Sequence, residues 1–364
     1  MSNAKAIFKI VTGKRDSGEH IFSVIVKRTY RIKHGSVAER SANDHELKMI
    51  DEYYDNGDPD WSTVQYESEL AAFKPLVDVV VIGKAYAPKG EPTQQMMISV
   101  RIADKEKTIT VFGDRTCHYR ENKTPVFSDP LPFTDMEIRY DRAYGGLDDK
   151  SDPTIPFYYP RNYMGTGFAL RNIKEVIEGL ALPNLEDPND LLTSERIVLE
   201  EPQRWHMQPL PQGLGWCQRN WFPRCAFAGS YPAFVEVGTA ITEERMGLLP
   251  KNYIALAKQF KLPSFHPRFN NGASLGLMFR DMRGDESISL KGMTSSGLLE
   301  FSLPNDAPRI SLDIGLGEQQ LVARLHTVSI RPDDLEVDLI WRGALDYEGY
   351  SWLPKMKRLH AEVQ

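Results

Sequence analysis

The chain has 364 residues, of which 41% are hydrophobic and 26% are charged, as in an ordinary folded globular protein. A formal net charge of −6 excludes the basic surface that nucleic-acid binding requires. No apolar run approaches the roughly 18 residues that a membrane-spanning helix needs. The 3 cysteines are too few for a disulfide framework or a zinc site, so we expect free thiols and a cytoplasmic protein.

Apolar and polar residues alternate along much of the first 150 residues, which predicts β-strands. Residues 21–32 predict a strand that is buried on one face only. Residues 79–86 are a continuous β-branched run, which indicates a strand covered on both faces. Residues 96–102 and 108–112 predict two strands joined by a hairpin turn at the sequence DKEK.

The middle of the chain differs from both ends because it is rich in proline, glycine and aromatic residues. Its aromatic content is too high for a disordered linker, so it predicts long ordered loops over a scaffold. Two short helices are expected within it. Ile173, Val176, Ile177 and Leu180 share one face of the first, and the second spans about 250–261.

The strand pattern returns near the C-terminus, in residues 287–290, 297–303, 309–314, 320–330 and 335–341. The whole chain therefore predicts a mainly β fold, with antiparallel sheets packed as a sandwich or open barrel. We expect one domain over residues 1–364. Its three parts are an N-terminal β part, a loop-rich middle and a C-terminal β part, at 5–150, 151–275 and 285–345.

The sequence IRYDRAYGG, residues 138–146, places charged residues between tyrosines just before two glycines. Asp141 can bind a guanidinium group from Arg115 or Arg139, and Arg142 can stack on tyrosine rings. We expect a buried polar network that stabilises a corner where a sheet ends, and removal of one partner would then cost about 3–5 kcal/mol. Direct contact with a ligand is the alternative. The predicted network comprises Arg115, Arg139, Asp141, Arg142 and Tyr144.

Ser274 lies in the sequence GASLG, which matches the nucleophile pattern G-x-S-x-G of many hydrolases. The residues before it, FHPRFNN, are a poor central strand, and only His326 and His360 follow in the expected order. The histidines and carboxylates show no metal-ligand spacing, and the acidic run 44–60 does not fit an EF-hand. We therefore expect no enzymatic activity, metal or cofactor.

Five segments occur in an order and spacing that resemble one bacterial protein family: VIGKAYAPKG, TVFGDR, MEIRYDRAYGG, YYPRNYMGTGF and LPNLEDP. This family was long catalogued as a domain of unknown function and is associated with type VI secretion. The resemblance covers about residues 15–345. It implies a non-enzymatic cytoplasmic adaptor or chaperone that binds a toxin effector. Such an adaptor helps to load the effector on the secretion spike, through the spike trimer or its PAAR-type tip.

The sequence departs from this family at NNGASLGLMFRD, residues 270–281, where relatives tend to carry an Ala-Pro-rich stretch followed by Asp-Gln. This segment is therefore a candidate specificity element. Relatives also tend to have a tryptophan after GDR, where Cys117 or His118 stands here, so the corner is expected to pack differently.

Aromatic residues and arginine dominate the energetic centres of protein interfaces, and both are concentrated in residues 151–235. We expect the effector or spike tip to contact this region, although most of its rings should pack the loops onto the sheets. The alternatives are a hydrolase of a sugar or ester and a structural component of the secretion apparatus. The candidate contact residues are Tyr159, Arg161, Tyr163, Trp205, Trp216, Trp221 and Arg224.

Overall fold

The computed structural model describes residues 7–14, 20–121, 124–228, 266–313, 317–347 and 360–364. Within these ranges the protein is mainly β, as predicted. The N-terminal strands are β1 (Ile7–Lys14), β2 (His20–Arg31), β3 (Ser36–Val37), β4 (Glu39–Arg40), β5 (Glu52–Tyr53), β6 (Val64–Tyr66), β7 (Val77–Val81), β8 (Lys84–Tyr86), β9 (Gln95–Ile102), β10 (Lys105–Phe112), β11 (Thr116–Tyr119), β12 (Pro125–Phe127) and β13 (Asp135–Glu137).

The remaining strands are shorter in the middle of the chain and longer near its C-terminus. In the middle they are β14 (Tyr144–Gly145), β15 (Leu147–Asp148), β16 (Phe157–Tyr158), β17 (Thr166–Gly167), β18 (Leu180–Ala181), β19 (Leu185–Glu186) and β20 (Met278–Phe279). The C-terminal strands are β21 (Ser287–Lys291), β22 (Leu298–Ser302), β23 (Ile310–Asp313), β24 (Glu318–Leu321), β25 (Ala323–Arg331), β26 (Glu336–Tyr347) and β27 (His360–Val363).

The largest sheet has seven strands and combines both ends of the chain. Its order is β1-β2-β26-β25-β7-β20, and β4 also pairs with β2. Strands β2 and β26 pair antiparallel from His20–Tyr347 to Arg31–Glu336, whereas β25 and β7 are parallel. The sheet ends at β20, a two-residue edge strand.

The prediction that residues 21–32 are buried on one face only is wrong. Strand β2 is buried on both faces from Ile21 to Tyr30. Leu47 packs against Ile25 and Ile340 on the second face, and Lys27 there binds Glu69. The segment between β4 and β7 therefore covers the polar side of this strand, which the local alternation of residues cannot indicate.

The second large sheet has six strands in the order β19-β10-β9-β21-β22-β3. Strands β9 and β10 form the predicted hairpin, with Ile102 opposite Lys105. Buried side chains of both large sheets, such as Val24 and Val79 from one and Val100 and Leu290 from the other, belong to one hydrophobic cluster. No sheet of the described residues closes on itself. The small sheets are β12-β11-β18, β24-β23-β27, β13-β8, β14-β17, β15-β16 and β5-β6.

The loop-rich middle has a hydrophobic cluster of its own, although it contains little regular structure. The cluster comprises Cys117, Tyr144, Tyr159, Phe168, Ala169, Leu170, Val176, Ile177, Leu182, Leu192, Ile197, Leu199, Trp205, Phe222, Cys225, Ala226 and Phe227. We call it the second core and the cluster between the large sheets the first core. The short 3-10 helices of the described residues are Tyr54–Asn56, Pro88–Gly90, Tyr140–Arg142, Pro202–Met207, Arg224–Ala228 and Pro267–Asn270.

Only one α-helix occurs in the described residues, α1 (Lys174–Ile177), where the sequence predicts a longer helix reaching Leu180. The helix ends early because Gly179 adopts a φ of +76°, and Leu180 then begins β18. The second predicted helix, about 250–261, lies outside the described residues.

Candidate functional site

The sequence IRYDRAYGG forms a corner between two short strands. Residues Tyr140–Arg142 make a 3-10 turn after β13, and β14 then pairs in parallel with β17. Gly145 and Gly146 have φ values of +151° and +122°. A Cβ atom on Gly145 would lie 1.9 Å from the carbonyl oxygen of Asn162. Glycine is therefore required here by the close approach of a second chain segment.

Arg139 is the centre of one ionic group at this corner. Its guanidinium donates to the carboxylates of Asp141 and Asp55, each at 2.8 Å, and to that of Glu137 at 3.1 Å. The same group lies 4.5 Å from the ring centre of Tyr54. Asp141 is thus bound by Arg139 rather than by Arg115, and the corner is connected to the loop that carries Asp55.

The other arginines of the predicted network have different partners. Arg142 donates to the side chain of Asn184 at 3.3 Å, and Arg115 pairs with the buried carboxylate of Glu186. The side chains of Asp141 and Arg142 are 34% and 36% exposed, so the predicted burial is wrong for these two residues. The reason is the 3-10 turn, which points both side chains outward while Tyr140 faces the core.

Tyr144 belongs to the second core and not to a polar network. It is buried, and its ring meets the ring of Tyr159 edge-on at 5.0 Å. Within the described residues its hydroxyl has no hydrogen-bond partner. The five predicted residues therefore do not form one network. Arg139 and Asp141 form one ionic group and Arg115 pairs with Glu186. Arg142 donates to Asn184, and Tyr144 is a core residue.

Most of the predicted partner contacts lie in the protein interior. Only Tyr163 is half-buried, and the other six residues are buried: Tyr159, Arg161, Trp205, Trp216, Trp221 and Arg224. Arg224, for example, pairs with Glu67 and donates to the carbonyl oxygens of Cys217 and Phe269. These six side chains stabilise the two cores and are out of reach of a partner in this structure.

Trp61 and Tyr158 are the exposed aromatic side chains of the described residues, and half-buried Tyr163 contacts Tyr158; we call these three the aromatic surface. Trp61 is 66% exposed and Tyr158 is 41% exposed. The rings of Tyr158 and Tyr163 are 6.0 Å apart, and the Tyr163 ring meets that of buried Trp221 edge-on at 6.2 Å. The rings of Tyr158 and Tyr163 are therefore connected to the first core through Trp221.

The loop that carries Trp61 is fixed to the middle of the chain. The backbone N–H of Trp61 donates to the carbonyl of Asp58 at 2.9 Å, and Gln218 donates to the carbonyl of Ser62 at 2.7 Å. Burial and the nearby carboxylate of Asp60 raise the pKa of Tyr163. Trp61 is missed by the sequence analysis, although a tryptophan within the polar run DNGDPDW is itself a signal of exposure.

Ser274 has a basic neighbour that the sequence analysis also misses. The ammonium group of Lys107 donates to its hydroxyl at 2.6 Å, and burial lowers the pKa of Lys107 to about 8. However, Ser274 is 0% exposed, and its hydroxyl donates to the carbonyl of Gly213 at 2.5 Å. The signal for Lys107 is its position on the strand face that it shares with buried Ile109 and Val111.

Other chemical sites are not evident in the described part of the chain. It contains no group of three or more His, Cys, Asp or Glu residues placed to hold a metal ion. Its helices are all too short or too polar to cross a membrane. The three cysteines are free thiols, and Cys117 and Cys225 are buried.

The fold and these side chains define a mainly β protein with a second core in its loop-rich middle and exposed aromatic residues in both its N-terminal part and its middle. The chain belongs to the bacterial family described as "uncharacterized protein conserved in bacteria (DUF2169)", whose model matches residues 17–342. No curated protein matches the chain, and no solved structure matches it.

Proposed function

We propose that the protein is a non-enzymatic adaptor or chaperone that binds a toxin effector in the cytoplasm. It helps to load this effector on the type VI secretion spike, through the spike trimer or its PAAR-type tip. The resemblance of five ordered motifs to adaptors of this kind supports the proposal. The structural observation that carries it is the aromatic surface formed by Trp61, Tyr158 and Tyr163.

Accessible tryptophan and tyrosine side chains are typical of the energetic centres of protein interfaces. Burial of such rings removes a large apolar area from water. The entropic cost of ordering them is small, because each side chain has few rotatable bonds. Asp60, the residue before Trp61, is close enough to Tyr163 for its charge to act on the tyrosine. The ion pairs Arg139–Asp55 and Arg219–Asp51 connect the loop of Trp61 to the rest of the protein. This preorganisation lowers the entropic cost of binding a partner.

The charged residues next to Trp61 predict the charge of the partner surface that binds there. Asp58 and Asp60 are exposed in the same loop as Trp61, and neither forms an ion pair within the described residues. The effector surface that binds here is therefore expected to be basic. A lysine or arginine of the effector can contact the Trp61 ring through a cation–π interaction while it faces these carboxylates.

The test measures binding of Trp61→Ala and Tyr163→Ala variants to the effector that co-purifies with the wild-type protein. We expect Trp61→Ala to weaken binding by about 30-fold, which corresponds to about 2 kcal/mol for the loss of a central aromatic residue. Leu131→Ala is the matched control, because Leu131 is an equally exposed apolar residue, at 63%, outside the aromatic surface. Equal binding by all three variants and wild type would contradict the proposal.

The alternative function is hydrolysis of an ester or sugar by Ser274, and the adjacent Lys107 is the observation that favours it. A lysine with a lowered pKa can accept the proton of a serine nucleophile. Full burial of Ser274 opposes this function, because a substrate could not reach the hydroxyl. Stoichiometric labelling of Ser274 by a fluorophosphonate in the wild-type protein, and none in Ser274→Ala, would favour the hydrolase.

A further inference from the structure

A groove of about 760 Å³ lies where the seven-stranded sheet ends at β20 and the β9–β10 turn comes close to it. We call it the β20 groove. It contains apolar side chains of both sheets and of the segment after β20. The residues that matter most are Leu76, Ile102, Lys105, Arg268, Phe279 and Met282.

Arg268 is the unusual member of this groove. Among the described residues, its guanidinium donates to the sulfur of Met278 at 3.8 Å and to no oxygen atom. Its Nε atom is buried without a hydrogen-bond partner, and the guanidinium lies 5.8 Å from the ring centre of Phe227. Arg268 and Met278 also line a neighbouring cavity of about 80 Å³ with mostly apolar walls. Burial lowers the pKa of Arg268.

Arg224 lines the same cavity and has the polar partners that Arg268 lacks. Arg224 pairs with Glu67 and donates to two backbone carbonyl oxygens, so its guanidinium is well satisfied. Arg268 has the same planar fork of donors and forms no ion pair among the described residues. The charge of Asp78 acts on it from a distance, but that carboxylate is already bound by Lys74 at 2.7 Å. A half-buried guanidinium without an anionic partner is costly, and a carboxylate is the group whose geometry matches it best.

The acidic residues of the β20 groove do not supply this carboxylate. Glu286 accepts from the backbone N–H groups of Arg283 and Gly284, and Asp104 and Asp281 are exposed. None of the three forms an ion pair with Arg268. Lys105, by contrast, adds a second cation, which lies 5.1 Å from the ring centre of Phe279.

We propose that the β20 groove binds an extended segment of a partner protein, and that a carboxylate of this segment pairs with Arg268. The apolar side chains beside Arg268 contact apolar residues next to the carboxylate. An edge strand such as β20 also offers backbone groups to an extended chain. The inference rests on the proposed function only for the identity of the partner.

The groove also gives a role to the segment 270–281, which departs from the family pattern. Met278, Phe279, Arg280 and Asp281 all belong to this segment and line the groove. Replacement of Arg280 and Asp281, which follow β20, changes the groove beside Arg268 and leaves the pairing of β20 with β7 in place. The segment is therefore suited to select one partner sequence over another.

Random linear peptides displayed on phage provide the test, because the partner segment is unidentified. One library presents internal peptides and a second presents free C-termini, so that side-chain and terminal carboxylates are distinguished. Selection on the wild-type protein is expected to enrich one carboxylate at a fixed position beside apolar residues. Recovery of no peptides, or of peptides without a carboxylate, would overturn the proposal.

The selected peptide is then synthesised with its carboxylate and with the corresponding amide. We expect the carboxylate form to bind wild-type protein at least about tenfold more tightly, and Arg268→Gln to bind both forms equally. Arg283→Gln is the matched control, because Arg283 is a nearby exposed arginine outside the groove. A thermal melt of each variant confirms that it is folded. An unchanged preference in Arg268→Gln would overturn the proposal.

Binding of the co-purified effector separates this inference from the proposed function. If Arg268→Gln binds that effector as tightly as wild type, the groove proposal is wrong while the adaptor function stands. If peptide binding depends on Arg268 and no effector co-purifies, the groove proposal stands and the adaptor function is wrong.

Discussion

The sheet region and the loop-rich middle satisfy their buried polar groups in different ways. Between the long strands of the sheet region, buried polar side chains bind one another. Asp338 accepts from the hydroxyl of Thr29 and from the guanidinium of Arg331, each at 2.7 Å, and lies 3.5 Å from the ammonium of Lys27. The backbone groups of these strands are already paired within the ladder.

In the middle region, several buried polar side chains bind the backbone instead, although ion pairs such as Arg115–Glu186 occur there as well. The carboxylate of Asp148 accepts from the N–H groups of Lys150, Ser151 and Leu170 at 2.8–3.1 Å. The side-chain amide of Asn162 likewise donates to the carbonyl of Tyr140 at 2.7 Å. Where no ladder exists, side chains satisfy the buried backbone groups, and a region of short strands can then have a core.

The largest effect is expected for Asp148→Ala. This change removes the acceptor of three backbone N–H groups and one hydroxyl, so the free energy of unfolding should fall by about 4 kcal/mol. Asp152→Ala is the control, because the carboxylate of Asp152 is exposed and accepts from the N–H and hydroxyl of exposed Thr154. It should cost less than about 1 kcal/mol. Equal losses in urea-induced unfolding would refute the comparison between the two regions.

Gly145→Ala tests the close approach of two chain segments at the corner. The added Cβ atom would overlap the carbonyl oxygen of Asn162, so the free energy of unfolding should fall by about 3 kcal/mol or more. Gly179→Ala separates overlap from backbone conformation, because Gly179 has a positive φ with open space around it. It should cost about 1 kcal/mol. A Gly145→Ala loss no larger than that of Gly179→Ala would rule out the steric explanation.

Burial of His326 in the sheet region is expected to make the stability of the protein depend on pH. It occupies the bulge between Leu325 and Thr327, and burial, followed by the charges of Arg342 and Lys74, lowers its pKa well below the ordinary value. The folded protein therefore keeps His326 neutral, whereas the unfolded chain binds a proton below about pH 6.5. Stability should fall as the pH decreases from there, by up to about 1.4 kcal/mol per pH unit.

The measurement compares free energies of unfolding between pH 7.5 and pH 5 for wild type and two variants. His326→Gln should lose most of the slope, whereas His360→Gln should keep it because His360 is exposed. If both variants show the wild-type slope, another group causes the pH dependence.

The smallest effect is expected for Arg142→Ala. Arg142 is partly exposed, and its ionic partner Asp114 lies 3.7 Å away with a side chain that is 70% exposed. The loss of stability should be about 1 kcal/mol or less, well below the value for a buried network. Arg115→Ala, which leaves the buried carboxylate of Glu186 unpaired, should cost about 3 kcal/mol. Thermal and urea unfolding of both variants would show whether this order holds.

The regular part of the fold could be predicted from the sequence because its signal is local. Alternation with a period of two places β9, β10, β21, β22 and β23 within three residues of their bounds, whereas β26 continues six residues beyond its predicted end. The hairpin itself is also predicted, although its turn is 103–104 and the last three residues of DKEK belong to β10. The alternation cannot show that the polar face of β2 is buried, because the residues that bury it, Leu47 and Glu69, come from another segment.

The site residues could be predicted only in part, because exposure depends on distant contacts. Composition indicates that the middle region is ordered and aromatic, yet it does not distinguish buried Trp205 from half-buried Tyr163. The missing carboxylate partner of Arg268 is likewise a property of the assembled fold. The role of Gly145, by contrast, could be predicted from the sequence, because a Gly-Gly pair after a polar turn indicates an unusual backbone conformation.

Hydrogen exchange of the protein, alone and with its co-purified effector, tests the adaptor account most directly. We expect slower exchange on binding in residues 52–66 and 157–163, which carry the aromatic surface. Residues of β2 and β26 are paired in the centre of the large sheet and should exchange at the same rate in both states. Protection confined to the C-terminal strands, with 52–66 and 157–163 unchanged, would contradict the account.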